Sequence, residues 1–394
     1  MARYRYLVVG GGMTADAAVR GIRDVDPSGS IGLISAETHP PYARPPLSKG
    51  LWRGGSPDKI WRGTAELGAD LHLGRTVQSL DLAAKRAVDN RGTVYAFDRL
   101  LLATGGTPRR LPSGADEGVI YFRTLDDYER LRAWSEHRRR FAIVGCGFIG
   151  TEIAAALAMN GRDVVMLFPE DGVGARMFPA GLARSLNEYY RGRGVDVRAG
   201  EAVETLQATQ AGAVIETSIG RMIEVEGVVA GLGIVPAIGL AHAAGLRIDN
   251  GIAVDELLRT NHPDVYAAGD VAAFINPALG RRIRVEHEDN ANTMGRHAGR
   301  NMAGEALPYH HLPFFYSDLF DLGYEAVGEL DPHLTTYEDW KDPYKEGVVY
   351  YLRDGRVRGV LLWNVWGQVD AARALIAEPG PFRPEDLRGR LPAA

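Results

Sequence analysis

The chain of 394 residues is longer than one ordinary domain, and at about 150 residues per domain it predicts two or three. Apolar residues make up 45% and charged residues 24%, which excludes a disordered or fibrous protein. The net charge of −5 argues against nucleic acid as the main partner, and no apolar run approaches the roughly 18 residues of a membrane span.

Cysteine and glycine have unusual frequencies. The single cysteine, Cys146, excludes an internal disulfide and a redox-active cysteine pair. The 48 glycines exceed the roughly 7% that is typical of proteins, which indicates tight turns where backbone approaches a ligand. The first residues contain no apolar signal core, so we expect a cytoplasmic protein.

The first elements along the chain are a strand, a glycine-rich turn and a helix. A buried strand is predicted at residues 6–9, a helix at 15–23 and a second strand at 30–35. The turn between the first strand and the helix contains Gly10, Gly11, Gly12, Met13 and Thr14. Such a turn brings backbone amides and a helix N-terminus to a pyrophosphate. Glu37, after the second strand, is the candidate ribose acceptor, although the adjacent position holds Ala36 and the register is open by one residue.

The same pattern recurs one domain length later. A strand at 141–144, a helix at 151–159 and a strand at 163–168 surround a second turn, which contains Gly145, Cys146, Gly147, Phe148, Ile149 and Gly150. Glu170 follows the last of these strands, where a carboxylate accepts from the ribose of NADH and repels the 2′-phosphate of NADPH. We therefore expect NADH to be preferred, although Arg176 could soften that preference.

The last part of the chain has a different pattern of apolar and aromatic residues. Beyond Pro308, aromatic and apolar residues alternate, which predicts an antiparallel α+β domain. The predicted fold class is therefore α/β, with two Rossmann-like dinucleotide-binding domains and a C-terminal α+β domain. We place the first domain at residues 1–112 and 240–307, the second at 113–239, and the third at 308–394.

Further motifs lie between and beyond the glycine turns. They are PYARPPLSK at 41–49, ATGGTPR at 103–109, LFPE at 167–170, RVEH at 284–287, GYEA at 323–326, YLRD at 351–354 and LWN at 362–364. Together with the two turns, they resemble the two-dinucleotide flavoprotein reductases, closest to apoptosis-inducing factor and the ferredoxin reductases of oxygenase systems. The resemblance extends over roughly residues 5–375 and implies FAD on the first turn and NADH on the second.

The resemblance also implies roles for individual residues. Lys49 is expected by the flavin N5 edge, paired with Glu152, where a cation stabilises reduced flavin. Phe148 is expected to shield the flavin until nicotinamide displaces it, and Tyr316 replaces the tryptophan that stacks on flavin in the family. Other residues expected at FAD are Arg44, Val77, Arg109, Asp270, Glu286 and His287, the last two near the nicotinamide as well. The residues expected to complete the nicotinamide side are Gly233, Glu325 and Asn364.

The expected activity is an FAD-dependent hydride transfer from NADH, followed by electron transfer to an external acceptor without a protein disulfide. Ferredoxin of an oxygenase system, a quinone and oxygen remain open as acceptors. The non-enzymatic alternative is an NADH-responsive protein of low turnover, similar to apoptosis-inducing factor. The short segment at 331–347 argues against the long regulatory insertion of that protein. The acceptor, the pathway and the choice between monomer and homodimer do not follow from the sequence.

Overall fold

A computed structural model describes residues 1–112 and 118–391 of the chain. The helices are α1 (Met13–Val25), α2 (Leu125–His137), α3 (Phe148–Met159), α4 (Ala180–Gly192), α5 (Gly239–Ala243), α6 (Glu288–Met302), α7 (Val369–Ala377) and α8 (Pro384–Leu387). The first fifteen strands are β1 (Ala2–Val9), β2 (Ile31–Ile34), β3 (Ala69–His72), β4 (Val77–Asp81), β5 (Arg86–Asp89), β6 (Val94–Leu102), β7 (Gly106–Pro108), β8 (Val119–Tyr121), β9 (Arg140–Val144), β10 (Asp163–Phe168), β11 (Val195–Ala199), β12 (Val203–Thr209), β13 (Gly212–Thr217), β14 (Met222–Val225) and β15 (Gly227–Ala230). The remaining strands are β16 (Ile234–Pro236), β17 (Ile252–Ala253), β18 (Val265–Ala267), β19 (Ala272–Asn276), β20 (Arg281–Ile283), β21 (Phe314–Leu319), β22 (Leu322–Gly328), β23 (Thr335–Asp342), β24 (Glu346–Arg353) and β25 (Arg356–Trp363).

The chain divides into two compact units, each assembled from separate segments. Unit 1 comprises residues 1–43, 57–107 and 235–313, and unit 2 comprises residues 44–56, 108–234 and 314–394. The three-domain division made from the sequence stays a prediction. Its boundary between residues 112 and 113 meets the segment 113–117, which lies outside the described residues, as do residues 392–394.

Unit 1 is built on a sheet with the strand order β3-β2-β1-β6-β5-β4, and β18 also pairs with β6. Strands β3, β2, β1, β6 and β18 run parallel, whereas β4 and β5 form an antiparallel edge. Residues 6–9 of β1 are at most 5% exposed, because a central parallel strand is covered on both faces. This explains why these residues form a continuous apolar run rather than an alternating one.

Unit 2 contains a second parallel sheet, with the order β11-β10-β9-β15-β8. An antiparallel three-stranded sheet, β12-β13-β14, lies between β11 and β15 along the chain. The C-terminal segment forms a five-stranded antiparallel sheet with the order β21-β22-β25-β24-β23. Two sheets with parallel central strands and one antiparallel C-terminal sheet confirm the predicted fold class.

The predicted elements lie where the structure has them, with small shifts at their ends. The helix predicted at 15–23 is α1, which begins two residues earlier, and the helix predicted at 151–159 begins within the second glycine turn, at Phe148. Helices α2, α4 and α6 and the hairpin strands β12 to β14 were not predicted from the sequence. No helix in the described part of the chain is long and apolar enough to cross a membrane.

Candidate functional site

The first glycine turn, in unit 1, joins β1 to α1. Gly10 has φ +134°, and a Cβ atom there would lie 2.1 Å from the carbonyl oxygen of Ala103, so only glycine fits. Gly12 is the N-cap of α1 and provides no side-chain cap, while Met13 and Thr14 are buried in the first turn of the helix. The N-terminus of α1 is therefore available to an anion.

Asp270 is brought to this turn by the strand β18. The short 3-10 helix Gly269–Val271 follows β18. A Cβ atom on Gly269, which has φ +77°, would lie 2.3 Å from the hydroxyl oxygen of Thr14, so the two turns are in close contact. Two residues that the sequence analysis placed at FAD, Thr14 and Asp270, thus belong to neighbouring turns within unit 1.

Glu37 lies three residues beyond the end of β2, at Ile34. Its carboxylate accepts a hydrogen bond of 2.6 Å from the hydroxyl of Tyr42, and its backbone N–H donates to the hydroxyl of Ser35 over 3.2 Å. A Cβ atom on Gly11 would lie 2.0 Å from that same Ser35 hydroxyl. Glu37 is therefore held close to the first glycine turn, with a carboxylate that can accept further hydrogen bonds.

The other candidates of unit 1 are Val77 on β4 and the adjacent residues Glu286 and His287 at the start of α6. Val77 is buried at the start of β4, opposite Asp89 of β5. Glu286 forms an ion pair of 2.7 Å with Arg284, whose guanidinium also donates to the backbone carbonyl of Asp270 over 3.0 Å. His287 is the N-cap of α6.

A buried acid in α1, Asp16, was not identified from the sequence. It is fully buried and accepts hydrogen bonds from Arg62 (2.6 Å), Thr64 (2.7 Å) and Arg20 (2.9 Å). These contacts attach the segment at 57–67 to the helix that follows the glycine turn. An acid on the buried face of an otherwise apolar helix was the available signal.

The second glycine turn, in unit 2, joins β9 to α3. Gly145 has φ +104°, and a Cβ atom on Gly150 would lie 2.1 Å from the carbonyl oxygen of Gly145. These two glycines are required by the protein's own packing. Gly147, the N-cap of α3, has an ordinary φ of −80°, and a Cβ atom there would meet nothing within 4 Å. The space beside Gly147 fits a dinucleotide whose pyrophosphate approaches the backbone.

Glu170 and Cys146 lie together beside this second turn. Glu170 is ion-paired with Arg176 over 2.5 Å, and the Cys146 thiol is 3.6 Å from the other carboxylate oxygen. Burial, together with the negative charge of Glu170, raises the pKa of the Cys146 thiol to about 12. Cys146 is therefore held as a neutral thiol, which does not act as a nucleophile. Glu170 lies two residues beyond the end of β10, at Phe168.

Lys49 and Glu152 form a buried ion pair in unit 2. Lys49 lies between two short 3-10 helices, Pro45–Leu47 and Gly50–Arg53, and its ammonium nitrogen is 2.7 Å from Glu152 Oε1. The side chains of Lys49 and Glu152 are 15% and 3% exposed. The pairing of these two residues, proposed from the resemblance, is thus present in the structure.

Two serines that the sequence analysis did not assign complete the surroundings of Glu152. Ser48 donates to Oε2 over 2.5 Å, and Ser317, on β21, donates to Oε1 over 2.6 Å. Both serines are buried. A buried carboxylate with three donors has its charge compensated locally.

Aromatic side chains surround this ion pair. The Lys49 ammonium lies 5.0 Å from the centre of the Tyr316 ring, within reach of a cation–π interaction. Phe148, at the start of α3, is half-buried and contacts Phe315 edge-to-face, with 5.5 Å between the ring centres. Its ring also lies 6.4 Å from that of Tyr324 on β22.

Other candidates of unit 2 are Arg44, Arg109 and Ile149. Arg44 donates to the carbonyl of Arg123 over 2.7 Å, and the backbone N–H of Arg109 donates to the carbonyl of Gly233 over 2.9 Å. Ile149 is half-buried in the first turn of α3.

Glu325 and Asn364 lie on or beside the C-terminal sheet. Burial raises the pKa of Glu325, which accepts a hydrogen bond from the backbone N–H of Gly367. The side-chain amide of Asn364 accepts from the N–H of Gly323 and donates to the carbonyl of Lys345, both over 2.8 Å. In the structure Asn364 therefore joins β22 to the connection between β23 and β24.

Comparison with known proteins identifies the family to which the chain belongs. The family described as pyridine nucleotide-disulphide oxidoreductase matches residues 4–295, and the C-terminal family of apoptosis-inducing factor matches residues 298–341 and 336–378. The chain is similar to the 5,5′-dehydrodivanillate O-demethylase ferredoxin reductase subunit of Sphingobium sp., with 35% identity covering 96% of this chain and 94% of the relative. It is also similar to monodehydroascorbate reductase 3 of Arabidopsis thaliana, with 33% identity covering 96% and 93%.

The fold of the chain is also similar to that of a solved ferredoxin-type reductase. The covalent putidaredoxin reductase–putidaredoxin complex contains a chain that matches with a TM-score of 0.90 and 28% identity, covering 98% of this chain and 95% of that one. The resemblance to reductases of this type, inferred from the motifs, is confirmed. The chain belongs to the pyridine nucleotide-disulphide oxidoreductase family, and it does so with a single cysteine.

Proposed function

We propose that this protein is an FAD-dependent NADH oxidoreductase that delivers electrons to an external acceptor, with a ferredoxin as the first candidate. The observation that carries the proposal is the pair of glycine turns, one in each unit, each between a buried parallel strand and a helix without a side-chain cap. Two turns of this kind suit two dinucleotides. Because the one cysteine is a buried neutral thiol, the proposed route contains no protein disulfide.

The residues of unit 1 would bind FAD. The amides at the N-terminus of α1 would hold the pyrophosphate, Glu37 would accept from the ribose, and Asp270 would contact the ribityl and pyrophosphate region. When bound, FAD supplies the chemistry, by accepting a hydride equivalent from NADH and releasing electrons to the acceptor. The protein's own contribution is to bind, to orient and to provide charge.

Lys49 is the residue of unit 2 that we assign to the flavin N5 edge. Its charge is compensated by Glu152, and its position is restricted by the ion pair and by the Tyr316 ring. A fixed cation stabilises negative charge that develops nearby and needs no reorganisation at the moment of transfer. Phe148 would cover the flavin until nicotinamide arrives, and His287 would lie near both rings.

The residues beside the second turn would bind NADH. The open space beside Gly147 suits the pyrophosphate, and Glu170 would accept from the 2′-hydroxyl of the adenosine ribose. Arg176 neutralises part of the Glu170 charge, so NADPH would be disfavoured rather than excluded. The preference for NADH is thus expected to depend on one carboxylate, that of Glu170.

Ferredoxin is proposed as the acceptor because of the relatives. The Sphingobium relative is a ferredoxin reductase subunit, and the solved complex pairs a reductase with putidaredoxin. A quinone, oxygen and monodehydroascorbate, on which the Arabidopsis relative is named to act, are the competing acceptors.

The test is anaerobic reduction of the purified holoprotein with NADH, followed by an acceptor screen. We expect a yellow protein whose flavin is bleached faster by NADH than by NADPH, and which turns over fastest with a ferredoxin. A colourless protein that does not take up FAD, or a flavin that stays oxidised, would refute the proposal. Turnover with ferredoxin no faster than with oxygen would move the assignment to another acceptor.

A second candidate is an NADH-responsive protein of low turnover. The match to the C-terminal family of apoptosis-inducing factor favours it. In this chain, however, the segment at 331–347 contains β23 and its short connection to β24, so no long insertion is present there. Slow flavin reduction, with a long-lived NAD complex and an NADH-dependent change in sedimentation, would support this candidate.

A further inference from the structure

The carboxylate of Glu152 is bound from two sides by adjacent residues. Ser48 and Lys49 are neighbours in the chain, and they contact different oxygens of Glu152, Oε2 and Oε1. On β21, the neighbours Tyr316 and Ser317 contact the same ion pair, Tyr316 through its ring beneath the Lys49 ammonium and Ser317 through its hydroxyl on Oε1. Two dipeptides thus converge on one carboxylate.

The two serine hydroxyls are buried, unlike hydroxyls at the protein surface, which can donate to water. Ser317 is fully buried, and Ser48 is 5% exposed. Each hydroxyl has one proton to donate, and the Ser48 hydroxyl is 2.5 Å from Glu152 Oε2 but 3.5 Å from the carbonyl oxygen of Pro45. The Ser317 hydroxyl is 2.6 Å from Glu152 Oε1, so both short hydrogen bonds are directed at Glu152. Neither Glu152 oxygen is left without a donor, and the carboxylate cannot rotate without losing at least one hydrogen bond to a charged group.

We propose that Ser48 and Ser317 are positioning residues, which hold Glu152 so that Lys49 and Tyr316 keep one relative arrangement. This inference rests on the proposed function in one respect, namely that Lys49 acts on flavin. The serines would act through Glu152 and touch neither cofactor. Losing one hydrogen bond to a charged group changes an equilibrium by a factor of about ten or more. Replacement of either serine should therefore release Lys49 from its fixed position for a larger fraction of the time.

Lysine acylation measures this release directly. The chain has five lysines, Lys49, Lys59, Lys85, Lys341 and Lys345, so each can be followed by peptide mass spectrometry after brief treatment with an N-hydroxysuccinimide ester. In the holoprotein, we expect Lys49 to react slowest, because its side chain is 15% exposed and ion-paired. In Ser317→Ala and Ser48→Ala, the Lys49 rate should rise about tenfold, while the other four lysines serve as internal references.

Two controls separate positioning from general loosening. Ser135→Ala removes another buried serine of unit 2, whose hydroxyl donates to the carbonyl of Arg132 over 2.7 Å, and it should leave Lys49 unchanged. Ser48→Thr keeps the hydroxyl and should restore slow labelling. The inference is overturned if Lys49 labelling is unchanged in both alanine variants, or if all five lysines react faster together.

The midpoint potential of bound FAD provides an independent reading. If Lys49 acts on flavin, its release should lower the preference of the site for reduced over oxidised FAD about tenfold, which is about 30 mV for a two-electron couple. Faster labelling with an unchanged potential supports the positioning role and refutes the assignment of Lys49 to flavin. Labelling does not require turnover, so a wild-type flavin that NADH does not reduce refutes the proposed function without affecting the labelling result.

Discussion

Replacing Glu170 with alanine should reverse or abolish the preference for NADH. The carboxylate is 17% exposed and faces Arg176, whose side chain is 80% exposed. An ion pair with so exposed a partner contributes only about 0–1 kcal/mol to stability, so Glu170→Ala should fold normally. The change therefore tests recognition of the nucleotide rather than the stability of the protein.

The expected magnitude has two parts. Loss of a hydrogen bond between the ribose and a charged carboxylate costs NADH about 1.5–3 kcal/mol. Removal of a negative charge about 4 Å from a 2′-phosphate favours NADPH by about 1 kcal/mol in water and about 4 kcal/mol at an effective dielectric constant of about 20, and the partial exposure of the site places the value near the lower end. Together, the ratio of kcat/KM for NADH and NADPH should fall by about 10²- to 10³-fold.

The assay is flavin reduction followed by stopped-flow absorbance with each nucleotide over a range of concentrations. Glu188→Ala is the matched control, because it removes a carboxylate that pairs with Arg191 on the exposed face of α4 in the same unit. The control should keep the wild-type ratio. An unchanged ratio in Glu170→Ala would refute the ribose role of this residue.

Three further predictions concern Lys49, the second glycine turn and the histidines. Lys49→Ala should slow flavin reduction by NADH at least tenfold in stopped-flow, while a titration should show a smaller loss of FAD affinity. Equal rates of flavin reduction in Lys49→Ala and the wild type would exclude a role of Lys49 at N5. Gly147→Ala should fold like the wild type but bind NADH more weakly in calorimetry. Gly150→Ala should lower the melting temperature, because its Cβ atom would lie 2.1 Å from the backbone. Unchanged NADH binding in Gly147→Ala would show that the space beside Gly147 is not used. Burial lowers the pKa of His72 and of His297, so the folded state binds protons less readily than the unfolded chain. The stability that these neutral histidines contribute should therefore be fully present above about pH 6.5 and decline as the pH falls below that value. His72→Gln should flatten the dependence of the urea midpoint on pH between about pH 7.5 and 5.5, and an undiminished slope would contradict this.

Much of the fold was predictable because its signals are local. A buried parallel strand is a short apolar run, and a glycine turn followed by a helix start is contained in about ten residues. The turns at Gly10 and Gly145 were therefore located correctly, as was the start of the C-terminal antiparallel sheet. The boundaries of α1 and α3 differed by a few residues, because the turn residues Met13 and Phe148 already have helical conformation.

The contacts that complete the site were not predictable in this way. Ser48 and Ser317 are 104 and 165 residues from Glu152 in the chain, and Asp16 is 46 residues from Arg62. Serine is a common residue with no periodic signal, so nothing in the sequence separates these two from other serines.

The sequence by itself determined the two strand–turn–helix units, the acids that follow them and the single cysteine, because each depends on residue type or short spacing. Only the tertiary structure decided which donors surround Glu152, that Gly147 faces open space while Gly150 meets backbone, and that the loop at 44–56 belongs to unit 2. These features depend on segments that are distant in the chain and meet only when the sheets have formed. Hydrogen bonding and close packing act between neighbours in space, and the sequence orders neighbours only along the chain.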